Sequence, residues 1–294
     1  MKRDVLEVLR ARIFAALAHG DEEKAQNGIA ELQAYEPAEA AGLRTALHIE
    51  AGRADEAFAA WQQRAALAPD DPYTIFLRAR IHVMENERIC ALTLLAPLLE
   101  QRLPAAVAEK AYNLAGQCAR FLGRAAEAVH YYAQARDAAE ELSLRALNAS
   151  NVLFNRHYLP ASLAEDRRAA EEYGALFADV RPFTHEKHNR SGERRLRIGY
   201  LSPDVREHVV LSFSHALMTA LDPARFEVFV YAMNRADSFT EKVRNAVDVF
   251  RNLSQLSAEE AARSIYRDGI DILVDLAGHT AGRTLPILAY RPAP

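Results

Sequence analysis

From residue 1 to about residue 150, apolar residues recur three to four positions apart within alanine-rich, charged stretches, the spacing of a buried helix face. The pattern also repeats as a unit. "HGDEEKA", "AGRADEA", "MENERICA" and "LGRAAEA" each set a turn residue five positions before an alanine, as Gly20/Ala25, Gly52/Ala57, Asn86/Ala91 and Gly123/Ala128. Successive turns lie 32, 34 and 37 residues apart, and Pro37 and Pro69 each follow a turn by 17. Trp61 and Tyr132 stand four residues after the alanine of their units. Glycine permits the turn between two helices, the small alanine lets those helices approach, and proline is expected to end the second helix. In the third unit Asn86 takes the place of glycine.

The rhythm changes after Leu153. One further helix is predicted, with Ser162 and Glu165 spaced as a capping box, and then the charged connection "ADVRPFTHEKHNRSGERR". Beyond Arg195, strands alternate with helices. "RIGYLS" (197–202), "FEVFVYAM" (226–233), "DVFRNLS" (248–254) and "IDILVDLAG" (270–278) read as strands, the last nearly continuous in apolar residues and so expected to be buried on both faces. Helices are predicted over Val210–Leu221, after Ser238 with Glu241 as its capping partner, and over 257–269 with Ser257 and Glu260 as its cap. The alternation implies a parallel sheet in a doubly wound domain. The expected organisation is helical repeats over 1–160, a helix and linker over 161–195, and an α/β region over 196–294.

The repeats resemble the tetratricopeptide repeat, whose period is about 34 residues. "AYNLAGQCARFLGRAAEAVHYYAQA" (111–135) fits best. The alternative is a helical bundle without repeats. Stacked repeats form a solenoid whose concave face holds a peptide or a protein. Asn113 and Asn151 are candidates to reach main-chain amides of such a ligand, or are ordinary polar surface residues.

Composition narrows the classes. Half of the 294 residues are hydrophobic and Gly and Pro number 12 each, as in a globular chain. A net charge of -4 over 36 basic and 40 acidic residues gives no broad pull toward nucleic acid or an anionic membrane. No run approaches the ~18–20 apolar residues of a membrane span, and the start lacks a signal-peptide core, so a cytoplasmic protein is expected. Cys90 and Cys118 sit in helical patterns outside any CxxC or Cys/His cluster, and reduced, packed thiols are expected.

In parallel sheets ligands bind outside the carboxyl ends of the strands. His208 lies in the loop leaving the first strand, and Asp275, Gly278, His279 and Thr280 leave the last. A histidine there can act as a base or orient a hydroxyl, since its pKa lies near neutrality; the alternative is a solvated loop residue. Asp204 and Asp275 are either an acid/base pair or acceptors of backbone hydrogen bonds in tight turns. Neither GxGxxG nor GxxxxGK[ST] occurs, so no dinucleotide or ATP site is expected. His185 and His188 in "HEKH" lack a third ligand, and no metal is expected.

"RLRIGYLSPDVREH", "RFEVFVYAMN", "YRDGIDILVDLAGHTAG" and "ILAYRPAP" resemble, in that order, successive motifs of the protein O-GlcNAc transferase family, including its bacterial and SPINDLY-type members. "SNVLFNRHYLP" looks like the junction before its catalytic region. The resemblance implies two Rossmann-like lobes around a cleft and transfer of N-acetylglucosamine from UDP-GlcNAc to Ser or Thr of proteins, without a metal or other cofactor. The repeats would bind acceptor proteins or peptides. It assigns His208 to the family's active-site histidine, His279 and Thr280 to its "GHT" loop, and Asp275 to an acidic or amide position. The pattern is departed from in two places: Val209 stands where proline usually follows the histidine, and the basic residue expected a little after "GHTAG" is displaced, Arg283 following the glycine directly and Thr284 coming next. It further implies that the nucleotide-binding residues lie beyond "RPAP", so this chain is expected to be an N-terminal part, inactive alone. The alternative function is a non-catalytic, repeat-based binding module with a vestigial transferase half.

Overall fold

The computed structural model describes residues 2–186, 188, 191, 193–280 and 283–294. The chain divides into two compact units, Met1–Glu140 and Glu141–Pro294.

The first unit is helical: α1 (Lys2–Ala18), α2 (Glu22–Leu32), α3 (Pro37–Glu50), α4 (Ala54–Leu67), α5 (Pro72–Met84), α6 (Arg88–Leu99), α7 (Ala105–Phe121) and α8 (Ala125–Ala138). Four turns close the pairs α1/α2, α3/α4, α5/α6 and α7/α8 in one way. Gly20, Gly52, Asn86 and Gly123 all adopt the left-handed conformation, with φ of +69°, +73°, +65° and +74°. The next residue's N–H then bonds back across the turn: Asp21 to the carbonyl of Ala16, Arg53 to His48, Glu87 to His82, Arg124 to Ala119. This is the Schellman closure, and asparagine is the side-chain-bearing residue that visits its left-handed position most readily. Ala25, Ala57, Ala91 and Ala128 are each 0 % exposed, so the repeat alanines are where paired helices meet.

Two expectations change here. Pro37 opens α3 as its first residue instead of ending α2, because a helix's first N–H needs no intrahelical partner and proline has none to lose. Cys118 is buried as expected, but Cys90 is exposed: on α6 its neighbour Ala91 turns to the core.

The second unit begins with α9 (Leu142–Arg156) and α10 (Leu163–Ala175), so α9 belongs to it and not with the repeat helices. Then follow β1 (Leu196–Ser202), α11 (Val209–Thr219), β2 (Phe226–Ala232), α12 (Ser238–Arg244), β3 (Val249–Asn252), α13 (Ala258–Arg267), β4 (Ile272–Asp275) and α14 (Leu285–Leu288). The sheet is parallel in order β3-β2-β1-β4, with Ile198 opposite both Val228 and Ile272. Alternation along β1 and β2 sends Ile198, Tyr200, Val228 and Val230 to one face, against Leu211 and Met218 of α11 and Val243 of α12. Leu201, Phe229 and Tyr231 go to the other, against Ala261 and Ile265 of α13 and Ile287 of α14. Helices on both faces make it doubly wound.

Ser162/Glu165 and Ser257/Glu260 close as capping boxes. The third box shifts by one residue. Asp237, not Ser238, caps α12: its carboxylate accepts from the N–H of Phe239 and Thr240, and the Thr240 hydroxyl accepts the Asp237 N–H while donating to the Val205 carbonyl. β4 is also not buried on both faces. Among the described residues it is an edge strand, and Ile272 is 50 % exposed; the buried members of that apolar run, Ile270 and Ala277, flank the strand instead of lying in it.

Candidate functional site

Strand order decides where this unit can open. From β1 the chain steps to β2 and β3 with α11 and α12 on one face. It then crosses by α13 on the opposite face and sets β4 on the far side of β1. The direction of winding reverses between β1 and β4, and ligands of open α/β sheets bind outside the carboxyl ends at such a reversal. Leu201 lies opposite Asp275, and the Leu276 N–H donates to the Leu201 carbonyl at 3.0 Å, so both strands leave the sheet side by side. The loops expected to carry the chemistry flank this point.

After β1, a short loop delivers His208 as the N-cap of α11. The Val210 N–H donates to its Nδ1 at 3.3 Å, and an Asp204 carboxylate oxygen lies 3.7 Å from the same nitrogen. These neighbours want opposite tautomers. Accepting from Val210 leaves the proton on Nε2, which then donates to a ligand oxygen; Asp204, beyond hydrogen-bond distance, would have to close in to accept an Nδ1–H and so free Nε2 as a base. Asp204 is sheltered, at 14 % side-chain exposure against 34 % for His208, and Arg206 approaches it at 3.5 Å. A cavity of about 650 Å³ opens beside them, lined by Arg206, His208, Ser212, His215, Phe239 and Lys242. Ser212 and His215 follow His208 by four and seven residues on one helix face, a spacing readable in the sequence.

After β4, Asp275 is engaged in its own turn, accepting from the N–H of Ala277 at 3.2 Å and of Gly278 at 2.8 Å. The turn reading therefore describes Asp275, and the structure does not pair it with Asp204. Gly278 takes φ +54°, and the Thr280 hydroxyl donates to the Ala277 carbonyl at 2.7 Å. His279 Nδ1 lies 2.8 Å from Ser150 Oγ on α9, and the ring meets Tyr173 of α10 edge-on at 5.1 Å. Burial pushes the His279 pKa down, nearby His157 adds to this, and Asp275 opposes it. Burial, with Asp275 adding, pushes the Tyr173 phenol up to about 12. Ala281 and Gly282 of the "GHTAG" motif lie outside the described residues.

Ser150 and Tyr173 escaped the sequence reading, since nothing in "ALNASNVLF" marks a serine that will meet a histidine 129 positions later. A second cavity of about 440 Å³, mostly apolar, was also not foreseen; Leu142 and Leu147 of α9, Phe177, Met233, Leu256 and Tyr290 line it. Asn113 is half-buried in the first unit and Asn151 half-buried in the second, where its carbonyl accepts from the Asn155 amide. The "HEKH" histidines have protein partners: His188 Nε2 lies 2.5 Å from Asp271, and His185 Nε2 2.8 Å from the Arg291 carbonyl.

A helical unit with repeated Schellman turns, in one chain with a doubly wound unit that opens where its strand order reverses, defines a repeat-bearing α/β protein. Comparison with known proteins agrees. Residues 175–294 match the model of glycosyl transferase family 41. A probable UDP-N-acetylglucosamine–peptide N-acetylglucosaminyltransferase SPINDLY of Arabidopsis thaliana is 36% identical over 132 residues, 43% of this chain and 14% of that protein. A UDP-N-acetylglucosamine–peptide N-acetylglucosaminyltransferase of Caenorhabditis elegans is 39% identical over 104 residues, 34% of this chain and 9% of that protein. The matched segments are thus about a seventh or less of these relatives. A mutant O-GlcNAc transferase from Thermobaculum terrenum superposes with a TM-score of 0.58 at 23% identity, over 99% of this chain and 49% of that one, a likeness of fold. Among the described residues, no helix is long and apolar enough to cross a membrane.

Proposed function

We propose that this chain is the N-terminal part of a protein O-glycosyltransferase that moves N-acetylglucosamine from UDP-GlcNAc to Ser or Thr of proteins. Its second unit would supply part of the first, Rossmann-like catalytic lobe, and its repeats would bind the acceptor in the cytoplasm. The observation that carries the reading is the seat of His208: at the carboxyl edge of the sheet, beside the strand-order reversal, lining an open cavity, with the Asp204 carboxylate 3.7 Å from its Nδ1. The match of residues 175–294 to the family 41 model supports the same reading. In this scheme His208 receives or orients the acceptor hydroxyl, and the His279–Thr280 loop, which does not line that cavity, contributes from the adjacent strand end. No step requires a metal or other cofactor.

The first test is calorimetric titration of the 294-residue chain with UDP and UDP-GlcNAc, followed by a transfer assay with labelled donor on this chain joined to the remaining catalytic region of a family 41 relative. His208→Ala is expected to lower transfer by about 10²–10⁴-fold, the weight of a positioned acid–base group, while acceptor binding is kept. Near-normal turnover would remove His208 from the chemistry. Capture of peptides with no donor binding and no transfer in either form would support the recognition module instead.

A further inference from the structure

We infer that the turn between α5 and α6 is a binding site for a divalent transition-metal ion of the zinc class, held by His82, Glu87 and Cys90. The backbone creates the juxtaposition. His82 and Glu87 occupy the two positions that the Schellman closure ties together, the Glu87 N–H donating to the His82 carbonyl at 2.7 Å. Their side chains therefore emerge side by side, with His82 Nδ1 2.8 Å from a Glu87 carboxylate oxygen. Cys90, in the first turn of α6, is exposed and adds its thiol from the third side. The nitrogen, oxygen and sulfur donors all lie within 4.8 Å of one another. Bonds of about 2.0–2.3 Å to a tetrahedral zinc imply ligand atoms about 3.3–3.8 Å apart, so a small contraction of side chains at the surface completes the set. Glu85 Oε2, 3.5 Å from the same imidazole nitrogen, is a further oxygen nearby, shared with Arg78 at 3.9 Å.

The neighbouring repeat provides an internal comparison. At the same positions the α3/α4 turn carries His48, Arg53 and Glu56, and there Arg53 Nε donates to His48 Nδ1 at 3.0 Å. In that turn a guanidinium cation sits against the imidazole lone pair. In the α5/α6 turn a carboxylate and a thiol replace the arginine and the glutamate. Of the nearby guanidinium groups, Arg88 lies over the Phe121 ring at 4.6 Å and bonds Asn86, while Arg78 lies over Phe58 at 4.7 Å and reaches Glu85, not the three ligands, at 3.9 Å. A turn that holds a side-chain cation in one repeat has, in the next, donors for an external one. Imidazole, thiolate and carboxylate together select zinc-like ions over magnesium or calcium, which prefer all-oxygen shells.

The test is titration of the reduced 294-residue chain with Co²⁺, read by the near-ultraviolet thiolate-to-metal charge-transfer band, followed by displacement with Zn²⁺. The other cysteine, Cys118, is fully buried with its thiol pushed up to about 11 by that burial, so the band reports Cys90. One equivalent of Co²⁺ is expected to develop the band and zinc to abolish it. Cys90→Ser should eliminate the band. His82→Ala and Glu87→Gln should each weaken binding by at least the about 10–100-fold that loss of a mere supporting partner costs a metal site. Glu87 is half-exposed, so its variant tests the site even if His82→Ala disturbs the helix end. Absence of the band, or its survival at full strength in both His82→Ala and Glu87→Gln, would overturn the assignment.

Discussion

His279 is held by contacts from two helices that the sequence places far away, and this has a measurable signature. Its half-buried ring packs against Tyr173 and bonds Ser150, and this partial burial lowers its pKa below the ordinary value of about 6.5. As pH falls below that value the unfolded chain takes up a proton that the folded ring resists, so the folded state loses stability until its own pKa is passed. Imidazole resonances followed by NMR should show His279 titrating below the ordinary histidine value of about 6.5. Ser150→Ala is expected to move that titration and to cost about 1 kcal/mol in denaturant melts; an unchanged curve would mean the serine does not seat the ring. His208 could be picked out in advance because a strand end and a helix start bracket it within a few residues. Ser150 could not, because its partner is fixed only when α9 packs on the loop after β4.

At the scale of the element, local chemistry was legible wherever a few neighbouring residues settle the matter. The four turn residues, the repeat alanines and two of three capping boxes follow from short-range rules. Asn86 filled the left-handed position its spacing assigned to it. The misplaced box shows the limit: Ser238 and Glu241 have the right spacing, but Asp237 and Thr240 win because Thr240 also ties α12 to the Val205 carbonyl, a tertiary bond. The edge position of β4 was illegible for a related reason, since an apolar run does not say which strands will flank it. Close helix pairing allows a sharper prediction. A Cβ on Gly116 of α7 would lie 2.9–3.0 Å from the ring of Tyr132 on α8, which is buried. Gly116→Ala should therefore destabilise the first unit by about 1–2 kcal/mol, overpacking outweighing the helix-propensity gain of up to about 1 kcal/mol. A rise in melting temperature would show that the pair has slack.

On the scale of the whole molecule, the second unit is tied together where its connecting segment meets the sheet. Asp271, 9 % exposed just before β4, accepts from Arg194 at 2.7 Å, from the Arg197 N–H at 2.8 Å, and pairs with His188. Burial alone would raise its pKa, but these partners overcome that and hold the carboxyl well below the usual range. Its contribution is therefore present above the unfolded value near pH 3.9 and is lost as pH falls through the folded value. Asp271→Asn is expected to cost about 2 kcal/mol at neutral pH, with the two melting curves converging in strong acid. A pH-independent difference would assign the loss to packing instead. The winding reversal between β1 and β4 has a wider consequence. The chain departs from these adjacent strands toward opposite faces, so the opening between them needs no side chain to prop it apart. Residues added to either loop would change its depth and lining while leaving every strand pairing intact. The same scaffold can therefore be refitted for a new ligand one loop at a time.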